Sequence, residues 1–493
     1  MGGFSAEWQM WWALGGPRLR MCPGGAADVG LLWWSNGARL LVRGSERSMG
    51  VFRGVPAARC GVPGVSRLVA MVVVTVLALM GVVVPVGGGA GGEAYAAGER
   101  GARWAQGWGA AVQQPVEGDV DDVPNWSRRG FRHQSVRQVV RVGVGGERVR
   151  IRLSNRYGRT PLRVDGAVIA RSGGGAQAWP GTAKKVAFRG ARSTVIPAGG
   201  EAVGDAVTLS TSPLENLVVT LYFAGATGPA TFHRVGLAAS YRADGNHLDD
   251  VLAQAFRESS QSSYFLDGID VSGPYRARRN TVVALGDSAT DGVGATAEAN
   301  GRYTDVLGER LVAGRRNLGV VNAGIAGSML LTSSSCFGEK GIARFRRDVL
   351  DRPGVRTVIV ELGANDVGAN WSTGPCFPSS HKPVSARQIT EGYRALIRAA
   401  HGRGIKVIGA TLVPLSGYPG YPGPAGKVER LRTQVNQWIR TSGAYDAVVD
   451  FDKALADPAH PERPRPGYVY EDGLHPNDAG YQAIANAFEL SVL

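Results

Sequence analysis

Cysteine is scarce in this chain, with four in 493 residues, too few for a small scaffold stapled by disulfides. No C-x-x-C and no H-E-x-x-H run occurs, and no close His/Asp cluster replaces them. No metal ligand set and no cofactor are therefore expected. The charged fraction of 19% beside 44% hydrophobic residues is a globular value, which excludes a disordered or fibrous chain. The 71 glycines follow no three-residue period, so a collagen is excluded as well. G-x-S-x-G is also absent, which removes the nucleophile elbow of the α/β-hydrolases.

The formal net charge of +14 invites a nucleic-acid reading. Without residues 1–96 the chain keeps 47 basic and 37 acidic residues, a net of +10. These charges are scattered, and in Val149-Arg150-Ile151-Arg152-Leu153 they alternate with apolar residues as on the solvent face of a strand. No nucleic-acid partner is expected, and attraction to anionic cell-wall or membrane surfaces suits the charge better.

Leu68 to Val86 is almost wholly apolar, follows Arg53, Arg59 and Arg67, and leads to Ala94-Tyr95-Ala96. Basic, apolar and small-residue segments in that order make a secretory signal. Residues 49–96 are assigned to it, with Met49 as the start. Residues 1–48, with five tryptophans among Gly and Arg, have neither helical nor strand periodicity and read as a mis-called extension. The expected product is secreted, with no stable membrane span after cleavage. An uncleaved anchor is the competing reading. Cys22 and Cys60 would be lost on cleavage, leaving Cys336 and Cys376 as an expected disulfide.

A chain of this length exceeds one ordinary core. Residues 97–275 read as strands: Val136–Val144 and Val149–Leu153 about a Gly145-Gly146 hairpin turn, then Leu162–Ile169, Lys185–Phe188, Ala206–Leu209 and Leu217–Phe223. An all-β sandwich is the economical fold. Trp104, Trp108, Trp126 and Trp179 are its candidate sugar platforms.

Residues 276–493 change pattern. Apolar runs at Thr281–Leu285, Val320–Asn322, Thr357–Leu362, Lys406–Val413 and Ala447–Phe451 alternate with helical segments at Tyr303–Val312, Ile342–Leu350, Ala386–His401, Lys427–Arg440 and Asp478–Leu490. Such alternation predicts an α/β domain with a parallel sheet, whose active site lies beyond the carboxyl ends of the strands. Four short polar blocks fall at those stations. Gly286-Asp287-Ser288 follows the first run, Asn322 to Gly327 the second, and Gly363-Ala364-Asn365-Asp366 the third. Asp472-Gly473-Leu474-His475-Pro476 precedes the last helix.

In this order the four blocks resemble the GDSL, or SGNH, hydrolase family of esterases and lipases, over roughly residues 280–493. The resemblance implies a flavodoxin-like three-layer α/β/α domain and Ser288 as nucleophile. It matches Gly327, Asn365, Asp472 and His475 to the family's remaining site positions. After Ser288 the chain reads Ala289-Thr290-Asp291 in place of the leucine of the family's older name.

The residues support the same chemistry independently. A serine hydroxyl needs a base, and of seven histidines only His475 combines an acid three residues earlier with a following helix-starting proline. Asp472 would hold the imidazole tautomer, giving a Ser288–His475–Asp472 triad acting through an acyl-enzyme. Ser288 and Gly327 N–H groups and the Asn365 amide would form the oxyanion hole, with Gly324 the rival of Gly327. Asp287 and Asp291 are assigned to local loop hydrogen bonding. Tyr418 and Tyr421, in a Pro/Gly-rich loop, and Trp371, between the two cysteines, are candidate substrate contacts.

The expected reaction is hydrolysis of short-acyl, chiefly acetyl, esters on carbohydrate. The alternatives are a lipase or phospholipase acting on lipid esters and, in another class, a carbohydrate-binding protein with a relic hydrolase domain.

Overall fold

The computed structural model describes residues 103–118, 124–273, 280–372, 375–377, 382–416, 418–421 and 423–493. The signal segment, its Ala94-Tyr95-Ala96 site, Met49, Cys22 and Cys60 lie outside the described residues.

The N-terminal half is antiparallel. β1 (Trp104–Gly109), β2 (Gln134–Val142), β3 (Gly146–Ser154), β4 (Gly166–Gly174), β5 (Val207–Thr211), β6 (Glu215–Phe223), β7 (Ser240–Asp244) and β8 (Leu266–Ser272) are its main strands. One sheet runs β1-β8-β3-β5, with Glu201–Val203 also on β3. The second contains β7-β2-β6-β4, extended by Glu258–Ser260 beside β7 and by Gln177–Ala178 and Lys184–Val186 on β4. Alternation sets the inner faces. Val149, Ile151 and Leu153 from one sheet, and Leu217, Val219, Leu221 and Phe223 from the other, share one buried cluster. Trp126 stacks on Tyr264 there, with ring centroids 5.4 Å apart.

Three readings of this half change. β2 and β3 do not form a hairpin, because they belong to opposite sheets and Gly145-Gly146 carries the chain across the sandwich. A Cβ on Gly145 would lie 2.5 Å from Thr211 O, so the crossing needs glycine. The expected strand Leu162–Ile169 is broken at Asp165. Leu162–Val164 pairs with Thr194–Ile196, and β4 starts at Gly166. Arg150 and Arg152 do not face open solvent either. Both bind the buried Asp270 on β8 at 2.8 Å, and Arg150 also lies 4.1 Å over the Trp104 ring.

The C-terminal half holds β9 (Thr281–Gly286), β10 (Gly319–Gly324), β11 (Val355–Glu361), β12 (Lys406–Ala410) and β13 (Ala447–Val449), all parallel, in the order β10-β9-β11-β12-β13. This 2-1-3-4-5 order is flavodoxin-like, and its direction reverses between β9 and β11. The helices are α1 (Ser288–Asp291), α2 (Tyr303–Ala313), α3 (Gly341–Phe345), α4 (Ala364–Gly368), α5 (Ala386–His401), α6 (Ala425–Thr441), α7 (Phe451–Leu455) and α8 (Asp478–Asn486). α2 packs with α8, as do α7 and α8, while α5 packs with α3 and α6. These two groups are the outer layers around the sheet. The segment expected as one helix at 342–350 passes from α3 into a π-helical turn, Arg346–Leu350.

β10 is an edge strand, and β1 of the sandwich packs beside it. Gln106 N–H lies 3.1 Å from Pro353 O and 3.0 Å from Thr281 Oγ1. Gly143 packs so closely on Val320 that a Cβ would sit 3.1 Å from its nitrogen. The exposed edge that a parallel sheet would otherwise present is covered. Below it, Arg352 makes a bidentate pair with Asp267 of the sandwich, both bonds 2.8 Å, and lies 3.7 Å from Asp348. Asp348 also pairs with Arg344, whose guanidinium donates to Gly286 O and Ala323 O at 2.8 and 2.7 Å. The ends of β9 and β10 are thus tied to a buried ionic network that begins in the sandwich.

Candidate active site

Ser288 opens α1 directly after β9. Asp287 caps this single turn by accepting from Ala289 N at 3.2 Å, and Gly292, at φ +112°, ends it. The serine therefore sits at the reversal point of the sheet, at the mouth of a short helix.

His475 reaches the same point from the loop before α8. Tyr470 N–H donates to His475 O at 2.8 Å and Gly473 N–H to Tyr470 O at 3.0 Å, closing a turn in which Gly473 takes φ +74°. Asn477 then caps α8 by accepting from Gly480 N at 3.1 Å. In this loop Asp472 Oδ1 accepts the N–H groups of Leu474 and His475 at 2.9 and 3.0 Å, and Asp472 Oδ2 meets His475 Nδ1 in a short hydrogen bond. His475 Nε2 lies 2.8 Å from Ser288 Oγ. Burial alone would raise the Asp472 carboxyl, but the bond to His475 and the two backbone donors hold it below its ordinary value. An ionised Asp472 accepts from Nδ1–H, which leaves Nε2 free to take the serine proton.

Gly327 and Asn365 come from the neighbouring loops. Gly327 adopts φ +76°, and a Cβ there would fall 2.3 Å from the Phe337 ring. Gly324 differs: it ends β10 with the Asp291 backbone occupying its Cβ position at 2.2 Å, a packing role. Asn365 lies in α4 after β11. Its Nδ2 donates to Ser328 O at 3.2 Å and its Oδ1 accepts from the Tyr421 hydroxyl at 3.2 Å. An amide nitrogen has two hydrogens, so one remains for another acceptor.

Cys336 and Cys376 form a disulfide, with Cα atoms 5.1 Å apart. It joins the loop after β10 to the segment after α4. Ser334 Oγ accepts Phe337 N at 3.1 Å and donates to Cys376 O at 2.6 Å. The wall stiffened by the disulfide is thus the one carrying Phe337 over Gly327.

The aromatic candidates separate. The Tyr418 ring is 6.3 Å from His475 and edge-on to it. Tyr421 packs over Gly368, where a Cβ would meet its ring at 2.3 Å, and holds Asn365. Trp371 is half-buried and backs the tyrosine loop at Gly423. Of the sandwich tryptophans, Trp126 is core, Trp108 packs against that core and Trp104 lies under Arg150, while Trp179 is 59% exposed.

Other acids have work that the sequence did not reveal. Asp366 accepts from Leu330 N and Leu331 N at 2.6 and 2.9 Å, fixing the segment after Gly327. Asp291 is not confined to its own turn: it accepts from Ala326 N at 2.8 Å and pairs with His233 of the sandwich at 3.0 Å. Glu361, at the end of β11, accepts from Thr290 Oγ1 at 2.9 Å and Asp287 N at 3.2 Å. Among the described residues no three His, Cys, Asp or Glu side chains converge as metal ligands.

Residues 284–483 match the model of the GDSL-like lipase/acylhydrolase family. The C-terminal domain is a GDSL-like lipase/acylhydrolase domain. Among solved structures, the chain is similar to a lipase/acylhydrolase from Enterococcus faecalis (22% identity over 42% of this chain and 92% of that one, TM-score 0.31). It is similar as well to a GDSL-like lipase from Bacteroides thetaiotaomicron VPI-5482 (18% identity, 43% and 87% coverage, TM-score 0.32). A psychrotrophic esterase from Pseudoalteromonas sp. has 18% identity, 42% and 93% coverage and a TM-score of 0.30. No curated protein matches the chain. In the GDSL-like domain the matched span begins within β9 and ends within α8, enclosing Ser288, Gly327, Asn365, Asp472 and His475.

Proposed function

We propose that this protein is a serine esterase that hydrolyses short-acyl carboxylic esters, with Ser288 as nucleophile, His475 as general base and then acid, and Asp472 as the residue that orients and charges-balances the imidazole. The observation that carries this reading is the continuous hydrogen-bonded chain from Ser288 Oγ through His475 to Asp472. Proton transfer to Nε2 activates the hydroxyl for attack on the ester carbonyl. The tetrahedral oxyanion is held by the Ser288 and Gly327 N–H groups and the remaining hydrogen of the Asn365 amide, each donor worth about 2.7–4 kcal/mol of barrier. The alcohol leaves with the proton from His475, and water repeats the sequence on the acyl-enzyme.

Support for a short acyl group comes from the aromatic rings crowded around these positions: Phe337 against Gly327, and Tyr418 and Tyr421 5.0 Å apart beside His475 and Asn365. Carbohydrate is the proposed alcohol side, approaching over Tyr418. Export is proposed from the signal-like segment Leu68–Val86. Among the described residues no helix is long and apolar enough to cross a membrane.

A chain-length series of p-nitrophenyl esters, measured on the full-length protein, tests both parts. Acetate to butyrate should give the highest kcat/KM, and a maximum at octanoate or longer would replace the short-acyl reading with a lipid-ester one. Ser288→Ala should lower kcat on the order of 10⁴- to 10⁶-fold. Retained hydrolysis in that variant would remove the triad.

A further inference from the structure

His233 belongs to the sandwich, yet its side chain ends beneath the catalytic loops. The residue is 6% exposed and Asp291 1%. Its Nδ1 lies 2.9 Å from Ala111 O, and its Nε2 lies 3.2 Å from Val235 O and 3.0 Å from Asp291 Oδ1. Each ring nitrogen faces only acceptors. A neutral imidazole would leave one lone pair against a carbonyl oxygen, so the arrangement requires both nitrogens protonated.

Asp291 uses its second oxygen on Ala326 N–H at 2.8 Å. Ala326 immediately precedes Gly327, the proposed oxyanion donor, while Asp291 itself closes the helical turn that Ser288 opens. Asp291 therefore joins both sides of the reacting centre, its backbone in the Ser288 turn and its carboxylate on Ala326, and the ion-pair partner of that carboxylate comes from the sandwich. The neighbouring sandwich backbone docks on the same loop: Glu298 N–H donates to Leu237 O at 2.9 Å and Arg302 Nη1 to Gly236 O at 3.3 Å.

We infer that His233 is a positioning residue for catalysis, holding Asp291 and through it the Ala326–Gly327 backbone, so that the sandwich domain completes the oxyanion hole rather than serving as a detachable binding module. This rests on the esterase reading for its kinetic consequence, though the positional link is independent of it. Burial lowers the imidazole's proton affinity, but Asp291 and the Ala111 carbonyl outweigh it and Arg302 opposes them, leaving His233 above its ordinary value. Without His233 the buried Asp291 carboxylate would lose its ion-pair partner, a costly change that favours displacement of the loop it holds.

The test compares His233→Ala, His233→Gln and Asp291→Asn in the full-length protein. Two measurements are made on each: kcat and KM for p-nitrophenyl acetate per active site, and hydrogen exchange at the Ala326 amide. His233→Ala and Asp291→Asn should each lower kcat about 10- to 100-fold, the scale of a displacement near 1 Å at a reacting centre. KM should stay within about threefold, and the Ala326 amide should lose protection. His233→Gln keeps an amide donor toward Asp291, so it should recover part of both. The His233→Ala/Asp291→Asn double variant should fall no further than the worse single variant, as expected for residues acting through one contact. Wild-type kcat with unchanged Ala326 exchange in a folded His233→Ala variant overturns the inference. If His233 variants do not fold, Asp291→Asn decides alone, because it leaves the imidazole on its two carbonyls. If the wild-type protein lacks esterase activity, the functional reading fails, and the exchange measurement still decides the positional link.

Discussion

The Tyr421 hydroxyl donates a hydrogen bond to Asn365 Oδ1 at 3.2 Å, and Asn365 Nδ2 donates to Ser328 O at the same distance. The amide is held at both ends, so it cannot rotate by half a turn and present its oxygen to a developing oxyanion. Tyr421→Phe removes only the hydroxyl, and the ring still fills the space over Gly368. The loss is that of one neutral hydrogen bond, about 0.5–1.5 kcal/mol, or roughly 2- to 12-fold in kcat with KM unchanged. Asn365→Ala should cost about 10²- to 10³-fold in kcat. Steady-state kinetics on p-nitrophenyl acetate separates the two. Equal losses would mean that Tyr421 contacts substrate directly.

Asp472 Oδ1 is occupied by two backbone N–H groups, and only Oδ2 faces the imidazole. Asp472→Asn preserves the shape but can turn an NH₂ toward Nδ1, which then must accept and leaves the proton on the Nε2 facing Ser288. The expected loss in kcat is about 10⁴-fold from the wrong tautomer. The loop fold should survive, because the amide oxygen can still accept from Leu474 and His475. Circular dichroism and a melting curve near those of the wild type, beside that loss, would check the assignment; a loss below about tenfold would argue against it.

The disulfide closes a 40-residue loop, worth about 4 kcal/mol in the chain-entropy model. Replacing both Cys336 and Cys376 by serine should lower the melting temperature by about 8–16 °C, taking the usual 2–4 °C per kcal/mol for domains of this size. Phe337 is next to Cys336 and covers Gly327, so freedom of this wall should also broaden acyl selectivity. The ratio of acetate to octanoate hydrolysis is the readout. An unchanged ratio would leave the disulfide a purely stabilising role.

Much of the C-terminal domain was legible because the periodicities are strong and the connections short. α5 begins and ends where its pattern does, and Ser385 supplies the capping box that starts it. Ser288, His475 and Asp472 were legible for a different reason: each lies at a strand end or helix entrance, where chain order alone fixes proximity. The sandwich was less transparent. Val136–Val142 and Val149–Leu153 alternate equally well whether they pair or cross between sheets, so local pattern could not distinguish a hairpin from a crossover. Likewise, Arg150 and Arg152 look solvated until Asp270, 120 and 118 residues away, is brought beside them. His233 could not be read at all. Its partner lies in the other domain, and no spacing rule links a lone histidine to an aspartate across a fold boundary.

The buried Asp287–Glu361 pair gives the last expectation, a pH dependence of stability. Both side chains are buried, and Glu361 Oε2 accepts the Asp287 N–H at 3.2 Å, so two carboxyls occupy one low-dielectric site. Burial pushes Asp287 up to about 6, and burial with the adjoining Asp287 charge drives Glu361 well above its ordinary value. In the unfolded chain both acids ionise near pH 4. Above that pH the folded state keeps protons that the unfolded state has lost, so stability falls as pH rises from about 4 through about 6, where Asp287 titrates, and the raised Glu361 extends the fall. Glu361→Gln removes the Glu361 titration, though not that of the buried Asp287, while keeping an oxygen for Thr290 Oγ1 and Asp287 N. Its melting temperature should match the wild type near pH 4 and exceed it by a few degrees, about 2–4 °C per kcal/mol recovered, at pH 8. A gain of equal size at both pH values would mean that packing, not the Glu361 titration, separates the two proteins.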